Sequence, residues 1–261
     1  MKQVMLFFGS FNPIHKGHIA LAEYVVEERL CDMAVFVVSP QNPLKSPSGL
    51  ASELERFNMV EMAVEGSRFP EQIKVSAIEF TLPKPSYTID TLRYLQSVSG
   101  DEMHFSLLIG ADIVEQLEQW KENEEILQNY PIYLYPRKGE RVEKHLDKLT
   151  LLEGAPTFEL SSTEIRERLR FGESVDGLLH PKVLKHIQLQ GLWESDEFEG
   201  SEGVNRLTER GRHHYQREAW GDALNSFGRA LKIEPENGEA KQLQKMTKEI
   251  LEFRYTDIYN P

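Results

Sequence analysis

Two histidines, His15 and His18, sit close to Asn12, Pro13 and Gly17 in the stretch Gly9-Ser10-Phe11-Asn12-Pro13-Ile14-His15-Lys16-Gly17-His18. The apolar run Val4 to Phe8 precedes this stretch, and a helical pattern of Ile19, Ala22, Val26 and Leu30 follows it, so it is the loop of a strand–loop–helix unit. Gly9 lets the backbone turn where the strand ends, Pro13 stiffens the loop, and Gly17 leaves room beside the helix start. The unpaired N–H groups of a helix N-terminus attract an anion. Two imidazoles over such a terminus describe a phosphate site. The spacing fits neither the dinucleotide fingerprint nor the P-loop. A single histidine is usually a core or surface residue; the pair, beside Asn and Gly, favours phosphate.

A second group, Ser161-Ser162-Thr163-Glu164-Ile165-Arg166, reads as another helix start. Capping alone accounts for a Ser or Thr there. Three successive hydroxyls, free N–H groups and an arginine within one turn also suit a polyphosphate, which arginine grips in bidentate fashion. Lys45, in the loop Gln41 to Pro47, is either a solvated lysine or a phosphate contact at the end of a strand. Asp112 follows an apolar run as an N-cap, or as a carboxylate for a ribose hydroxyl or a metal. Trp120 is either core or an exposed indole able to stack on a base. Arg56 reads as a charge on the solvated face of a helix.

These residues need a frame that brings them together. Further apolar runs, Met33–Val38, Ile73–Phe80 with a bend near Ser76, His104–Ile109, Ile132–Tyr135 and Thr157–Leu160, read as strands. Helical patterns separate several of them, at Ala51–Ala63 and from Thr88, as N-cap, to about Val98. The pattern predicts an α/β fold: a Rossmann-like parallel sheet with helices on both faces. Arg141–Leu152 is a weak, charged helical pattern, and Val175–Leu192 holds a loop and a closing helix.

The bulk numbers narrow the classes. A chain of 261 residues that is 40% hydrophobic can bury a real core, and a net charge of -12 argues against general nucleic-acid binding. The one cysteine, Cys31, forms no internal disulfide and reads as packed. No apolar run is long enough for a membrane span, and the start does not read as a signal peptide, so a cytoplasmic protein is expected. Glu194 to Gly203 reads as an acidic linker. Beyond it, Leu207, Gly211, Tyr215, Ala223, Phe227, Ala230 and Pro235 resemble one tetratricopeptide repeat over Val204–Asn237, with a third helix from Glu239 to Phe253. The expected division is therefore 1–193, a linker 194–203, and a small all-helical repeat region 204–261. One repeat cannot bury its own face, so it requires the first domain, a second subunit (a homo-oligomer) or a protein partner.

The His15-x-Gly17-His18 element resembles the signature of the nucleotidylyltransferase superfamily, and its fuller Gly-Ser-Phe-Asn-Pro form is similar to bacterial nicotinate mononucleotide adenylyltransferases. Ser161 to Arg166 resembles the superfamily's phosphate-gripping element. Gly110-Ala111-Asp112 with Trp120, and Tyr87-Thr88, resemble the family's pyridine pocket. The resemblance covers Met1 to about Trp193, and Phe8 departs from it where many relatives carry a second glycine. It implies transfer of the adenylyl group of ATP to nicotinate mononucleotide, with a magnesium ion on the triphosphate and no protein metal ligands evident. His18, His15, Lys45 and Arg166 would carry the chemistry. Gly9, Ser10, Phe11, His15, His18, Ser161, Ser162, Thr163 and Arg166 would meet ATP; Asn12, Lys45, Tyr87, Thr88, Asp112, Trp120 and Arg137 would meet the mononucleotide. Two alternatives stand beside this reading. One is an adenylyl- or cytidylyltransferase acting on another phosphate acceptor, such as nicotinamide mononucleotide or phosphopantetheine. The other is an interaction protein whose nucleotide domain is vestigial.

Overall fold

The structure is a computed structural model that describes residues 1–40, 49–137, 147–170, 173–193 and 200–258. The chain runs β1 (Lys2–Gly9), α1 (Lys16–Glu27), β2 (Met33–Val38), α2 (Glu53–Glu65), β3 (Ile73–Ser76), α3 (Ile78–Thr81), α4 (Thr88–Ser99) and β4 (Met103–Gly110). A 3-10 run, Ala111–Gln119, leads to α5 (Asn123–Asn129), β5 (Ile132–Tyr135), β6 (Leu149–Leu151), α6 (Ser162–Arg170) and α7 (Pro181–Gln190). The C-terminal helices are α8 (Gly200–Gln216), α9 (Trp220–Ile233) and α10 (Gly238–Ile258).

The strands form one sheet, ordered β3-β2-β1-β4-β5-β6, with every described pair parallel. Central parallel strands are covered on both faces, which is why they read as unbroken apolar runs. Val37, Leu107 and Leu134 are fully buried in the same core cluster as Ile89 and Leu92 of α4. Strand order reverses at β1, which pairs with β2 on one side and β4 on the other. The connections leaving β1 and β4 therefore diverge, and a crevice opens at the carboxyl ends of these strands.

The sheet departs from the sequence expectation at both edges. The run Ile73–Phe80 is a strand only to Ser76; past the bend, Ile78–Thr81 is helical, and Ser76 Oγ accepts from the Ile78 N–H at 3.3 Å. The outermost strand is Leu149–Leu151, within the segment whose pattern reads as helix, and it pairs with Ile132–Leu134. Thr157–Leu160 is not a strand. Its Phe158 stays 38% exposed, and Phe158 and Leu160 line a cleft instead. Tyr87, not Thr88, is the N-cap of α4, and Thr88 is its first helical residue.

The described chain divides into two compact units, Met1–Glu167 with Val175–Val183, and Arg168–Ser174 with Leu184–Pro261. In the second unit Val204 and Leu207 of α8 cluster with Ala230 of α9 and Ala240 of α10, and Leu231 and Ile233 pack against them. Ala223 and Ala230 are fully buried, so α8 and α9 approach closely through small residues. Helix α8 begins at Gly200, which makes the last part of the expected linker helical. Among the described residues no helix is long and apolar enough to cross a membrane.

Candidate active site

The loop leaving β1 is built on its own aromatic side chain. Phe11 adopts φ 45°, and its ring lies over Gly9. A Cβ on Gly9 would stand 2.8 Å from Phe11 Cζ, so glycine is required there by space rather than by the turn expected from sequence. The ring meets Phe7 and Phe36 edge-on, with centroids at 5.7 and 5.2 Å. Asn12, 5% exposed, closes the loop on the entry to α2: its amide donates to the Gly49 carbonyl at 2.9 Å and accepts from the Ala51 N–H at 3.0 Å.

His15 is the N-cap of α1, in extended backbone. Its N–H donates to His18 Nδ1 at 3.2 Å, and the two rings stack at 3.7 Å. With Nδ1 accepting, the neutral His18 ring carries its proton on Nε2. His15 is buried, and among the described residues its Nδ1 has no hydrogen-bond partner. Burial, and then the positive charge of Arg137, push its pKa down to about 4, so it is neutral at physiological pH. Gly17 leaves the room the sequence predicts: a Cβ there would meet His15 Nδ1 at 3.0 Å and Phe158 Cδ2 at 3.2 Å.

The start of α6 is fastened to the same loop. Ser161 is a plain cap, its Oγ accepting from the Glu164 N–H at 3.1 Å. Ser162 Oγ donates to the Pro13 carbonyl at 2.9 Å. Arg166 donates to the Asn12 carbonyl at 2.8 Å and to Thr163 Oγ1 at 3.2 Å. The guanidinium is only partly shielded and keeps its charge. The residues of the two sequence motifs, 149 and 154 positions apart, thus share one loop.

On the other side of the switch point, Asp112 Oδ1 lies 3.5 Å from Arg137 Nε, and the Arg137 guanidinium rests over the Tyr135 ring at 5.6 Å. A cleft runs from Arg137 to the histidines; its lining includes His15, Gly17, His18, Tyr135, Arg137 and Phe158. Tyr87 and Trp120 are half-buried against the sheet's core cluster. Lys121, next to Trp120, binds both Asp90 oxygens at 2.9 Å and lies 5.1 Å from the Tyr87 ring centroid. The structure therefore groups His15, His18 and Arg137 along one cleft, with Asp112 beside Arg137, and sets Ser162, Thr163 and Arg166 at the Asn12–Pro13 corner. Lys121 meets Tyr87 and Asp90 at the start of α4, and Trp120 packs on the same core cluster as Tyr87. Lys45 lies outside the described residues.

Sequence reasoning missed Tyr135 and Phe158, whose apolar character pointed only to the sheet, and it misplaced Arg56. Far from lying on a solvated face, Arg56 is wholly buried. It donates to four backbone carbonyls, those of Ala51 (3.0 Å), Ser10 (2.8 Å), Ser39 (2.6 Å) and Pro40 (2.7 Å). Buried Glu79 has a related task. It accepts from Ser86 Oγ at 3.0 Å and Thr91 Oγ1 at 2.9 Å, which fixes the turn into α4, and burial raises its pKa despite these bonds. Cys31 is buried and its thiol pushed up to about 12 by burial, consistent with packing rather than reactivity. Among the described residues no three His, Cys, Asp or Glu converge as metal ligands. The cationic Arg137 and Arg166, with the imidazoles, are donors for an anion.

Residues 6–168 match the family described as Cytidylyltransferase-like. The chain is 40% identical over 196 residues to a probable nicotinate-nucleotide adenylyltransferase of Flavobacterium psychrophilum, a match covering 74% of this chain and 99% of that protein. It is 43% identical over 183 residues to a protein of the same description from Bacteroides fragilis, covering 70% of this chain and 89% of the relative. Among solved structures, the Plasmodium falciparum nicotinic acid mononucleotide adenylyltransferase complexed with NaAD superposes with a TM-score of 0.63 at 18% identity, over 74% of this chain and 98% of that one. At that identity the likeness speaks for the fold.

Proposed function

The chain belongs to the nicotinate-nucleotide adenylyltransferases, within the Cytidylyltransferase-like family, and from that premise we propose that it transfers the adenylyl group of ATP to nicotinate mononucleotide. An oxygen of the mononucleotide phosphate bonds to the α-phosphorus, the bond from that phosphorus to the β-phosphate bridging oxygen breaks, and pyrophosphate leaves with the electron pair. The attacking group is already an anion, so the protein needs no nucleophile of its own. Its work is alignment and neutralisation of charge.

The observation that carries this reading is the convergence of the histidine pair and the Arg166 helix start on one loop. His18 Nε2–H would donate to the phosphates at the reacting centre. Neutral His15 would do so through its own ring without adding charge, and Gly9, Ser10 and Phe11 would lend the loop backbone. Ser161, Ser162, Thr163 and Arg166 would hold the outgoing phosphates, with Lys45 assisting. The cleft wall of Tyr135 and Phe158 offers the apolar surface that a purine base needs. Asn12, Tyr87, Thr88, Asp112, Trp120 and Arg137 would receive the mononucleotide. A magnesium ion would come bound to the triphosphate and water, which suits a site whose charged donors near the phosphates are cations; it supplies further neutralisation of the phosphate charge.

We place the catalytic domain at 1–193 and the reaction in the cytoplasm. Helices α8 and α9 would form one tetratricopeptide-like unit, seated on another subunit or a protein partner. The test of function is a panel of purified protein with ATP, magnesium and one acceptor each of nicotinate mononucleotide, nicotinamide mononucleotide and phosphopantetheine, scored by pyrophosphate release. The highest kcat/KM is expected with nicotinate mononucleotide. Equal or better turnover of either other acceptor would refute the assignment.

A further inference from the structure

Arg56 stands out because, among the described residues, its fully buried guanidinium has no carboxylate as a hydrogen-bond partner. Four of its five N–H donors end on backbone carbonyls, and those carbonyls come from three separate places. Ser10 belongs to the loop after β1, Ser39 and Pro40 to the exit of β2, and Ala51 to the entry of α2. A buried charge is retained only where its bonds are well made, since its desolvation is expensive. An apolar residue would fill the space more cheaply if filling were the task.

We propose that Arg56 is a positioning residue for the phosphate loop, a strut that sets the distance and tilt of Ser10–Phe11 relative to the β2 exit and the α2 entry. The proposal rests on the adenylyl-transfer reading above. The Ser10–Phe11 peptide is trans and planar, so its carbonyl and its N–H point in opposite directions. Drawing the Ser10 carbonyl onto Arg56 Nη1 turns the Phe11 N–H away from the guanidinium. The orientation of a main-chain donor in the proposed ATP loop is therefore set from behind, by a side chain that never meets substrate. Asn12 supports the same arrangement through Gly49 and Ala51. No other side chain could span it: lysine carries three donors on a single atom, whereas the guanidinium reaches its acceptors from three nitrogens held in one plane.

The experiment uses the full chain and its Arg56→Lys and Arg56→Gln variants. Titration calorimetry measures binding of sodium tripolyphosphate, which reads the phosphate loop, and separately of nicotinate mononucleotide. Steady-state kinetics give kcat and KM for ATP. Met59→Ala, a buried apolar truncation on the same helix, serves as the control for simple loss of stability. Arg56→Lys is expected to weaken tripolyphosphate at least about tenfold and to lower kcat/KM for ATP about 100-fold, the scale of a 1 Å misplacement. Mononucleotide affinity should stay within about twofold, and Met59→Ala should melt earlier with its tripolyphosphate affinity intact. A folded Arg56→Lys or Arg56→Gln with wild-type tripolyphosphate binding overturns the proposal. So does equal weakening of both ligands, or failure of both variants to fold at 10 °C, because the role would then lie in the fold itself. Wild-type protein that neither binds tripolyphosphate nor releases pyrophosphate would instead bring down the functional reading on which the proposal rests.

Discussion

Replacing His18 with alanine tests the centre of the proposed site. The ring is held from three sides, by His15 at 3.7 Å, Phe11 at 5.2 Å and Phe7 at 5.8 Å between centroids. Its Nδ1 is committed to the His15 N–H, so any donation to a phosphate comes from Nε2. Loss of one preorganised donor of this kind lowers kcat by roughly 100- to 1000-fold, or about 2.7–4 kcal/mol of transition-state stabilisation. The structural cost is smaller: one acceptor for a helix-start N–H, about 1 kcal/mol. Two further variants separate the ring's two nitrogens. Glutamine carries its amide nitrogen to the neighbourhood of Nε2, and asparagine places its carbonyl oxygen near Nδ1. His18→Gln should therefore retain more activity than His18→Asn, while His18→Asn should melt closer to wild type. Pyrophosphate release under saturating ATP gives the rates, and circular dichroism with thermal melts on the same samples confirms folding. A folded His18→Ala with near-wild-type kcat would refute the role, and faster turnover by Asn than by Gln would refute the assignment of the donating nitrogen.

Burial of neutral His15 links stability to pH. Its folded pKa of about 4 lies below the ordinary 6.5, so between these values the unfolded chain binds a proton that the folded one refuses. Stability is complete above about pH 6.5 and falls as pH drops toward 4, by about 3 kcal/mol from this group. Urea melts at pH 7 and pH 5 should show the loss, and a folded His15→Asn should show a shallower one; an unchanged slope would contradict it. A chain ending at Trp193 should keep most of its kcat, since every proposed site residue precedes Arg168. Its melting temperature or light-scattering mass should change once the apolar positions of α8 and α9 are removed. A collapse of kcat with the fold intact would show that the site is incomplete without the tail.

What the sequence disclosed follows from how each element earns its stability. Strands β1, β2, β4 and β5 lie where their apolar runs predict, because a central parallel strand has two buried faces and no room for polar residues. The edge was illegible for the opposite reason. Leu149–Leu151 buries only Leu149, too little to leave a pattern, while the apolar residues at 158 and 160 serve a cleft wall. The motif residues were legible because glycine, histidine and a run of hydroxyls carry chemistry at fixed spacing. Arg56 was not. An arginine between Glu55 and Phe57 looks like any surface charge, and its acceptors are carbonyls, which every residue possesses.

The fastening of α6 onto the β1 loop also has a consequence in time. Pro13 meets Ser162, and Asn12 meets Arg166, across separations of 149 and 154 residues. During synthesis the loop emerges first and waits for its counterpart, roughly 7–30 s at ordinary elongation rates. Strands β1 and β2 can pair in that interval, but the corner that joins the two motifs closes only when nearly the whole domain has left the ribosome. Such distant pairing is entropically late in folding as well. A nascent chain or an early-terminated fragment therefore carries the histidine pair without its arginine-bearing partner. ATP would meet a half-built grip, and turnover would begin only with the last helix of the sheet domain's motif pair in place.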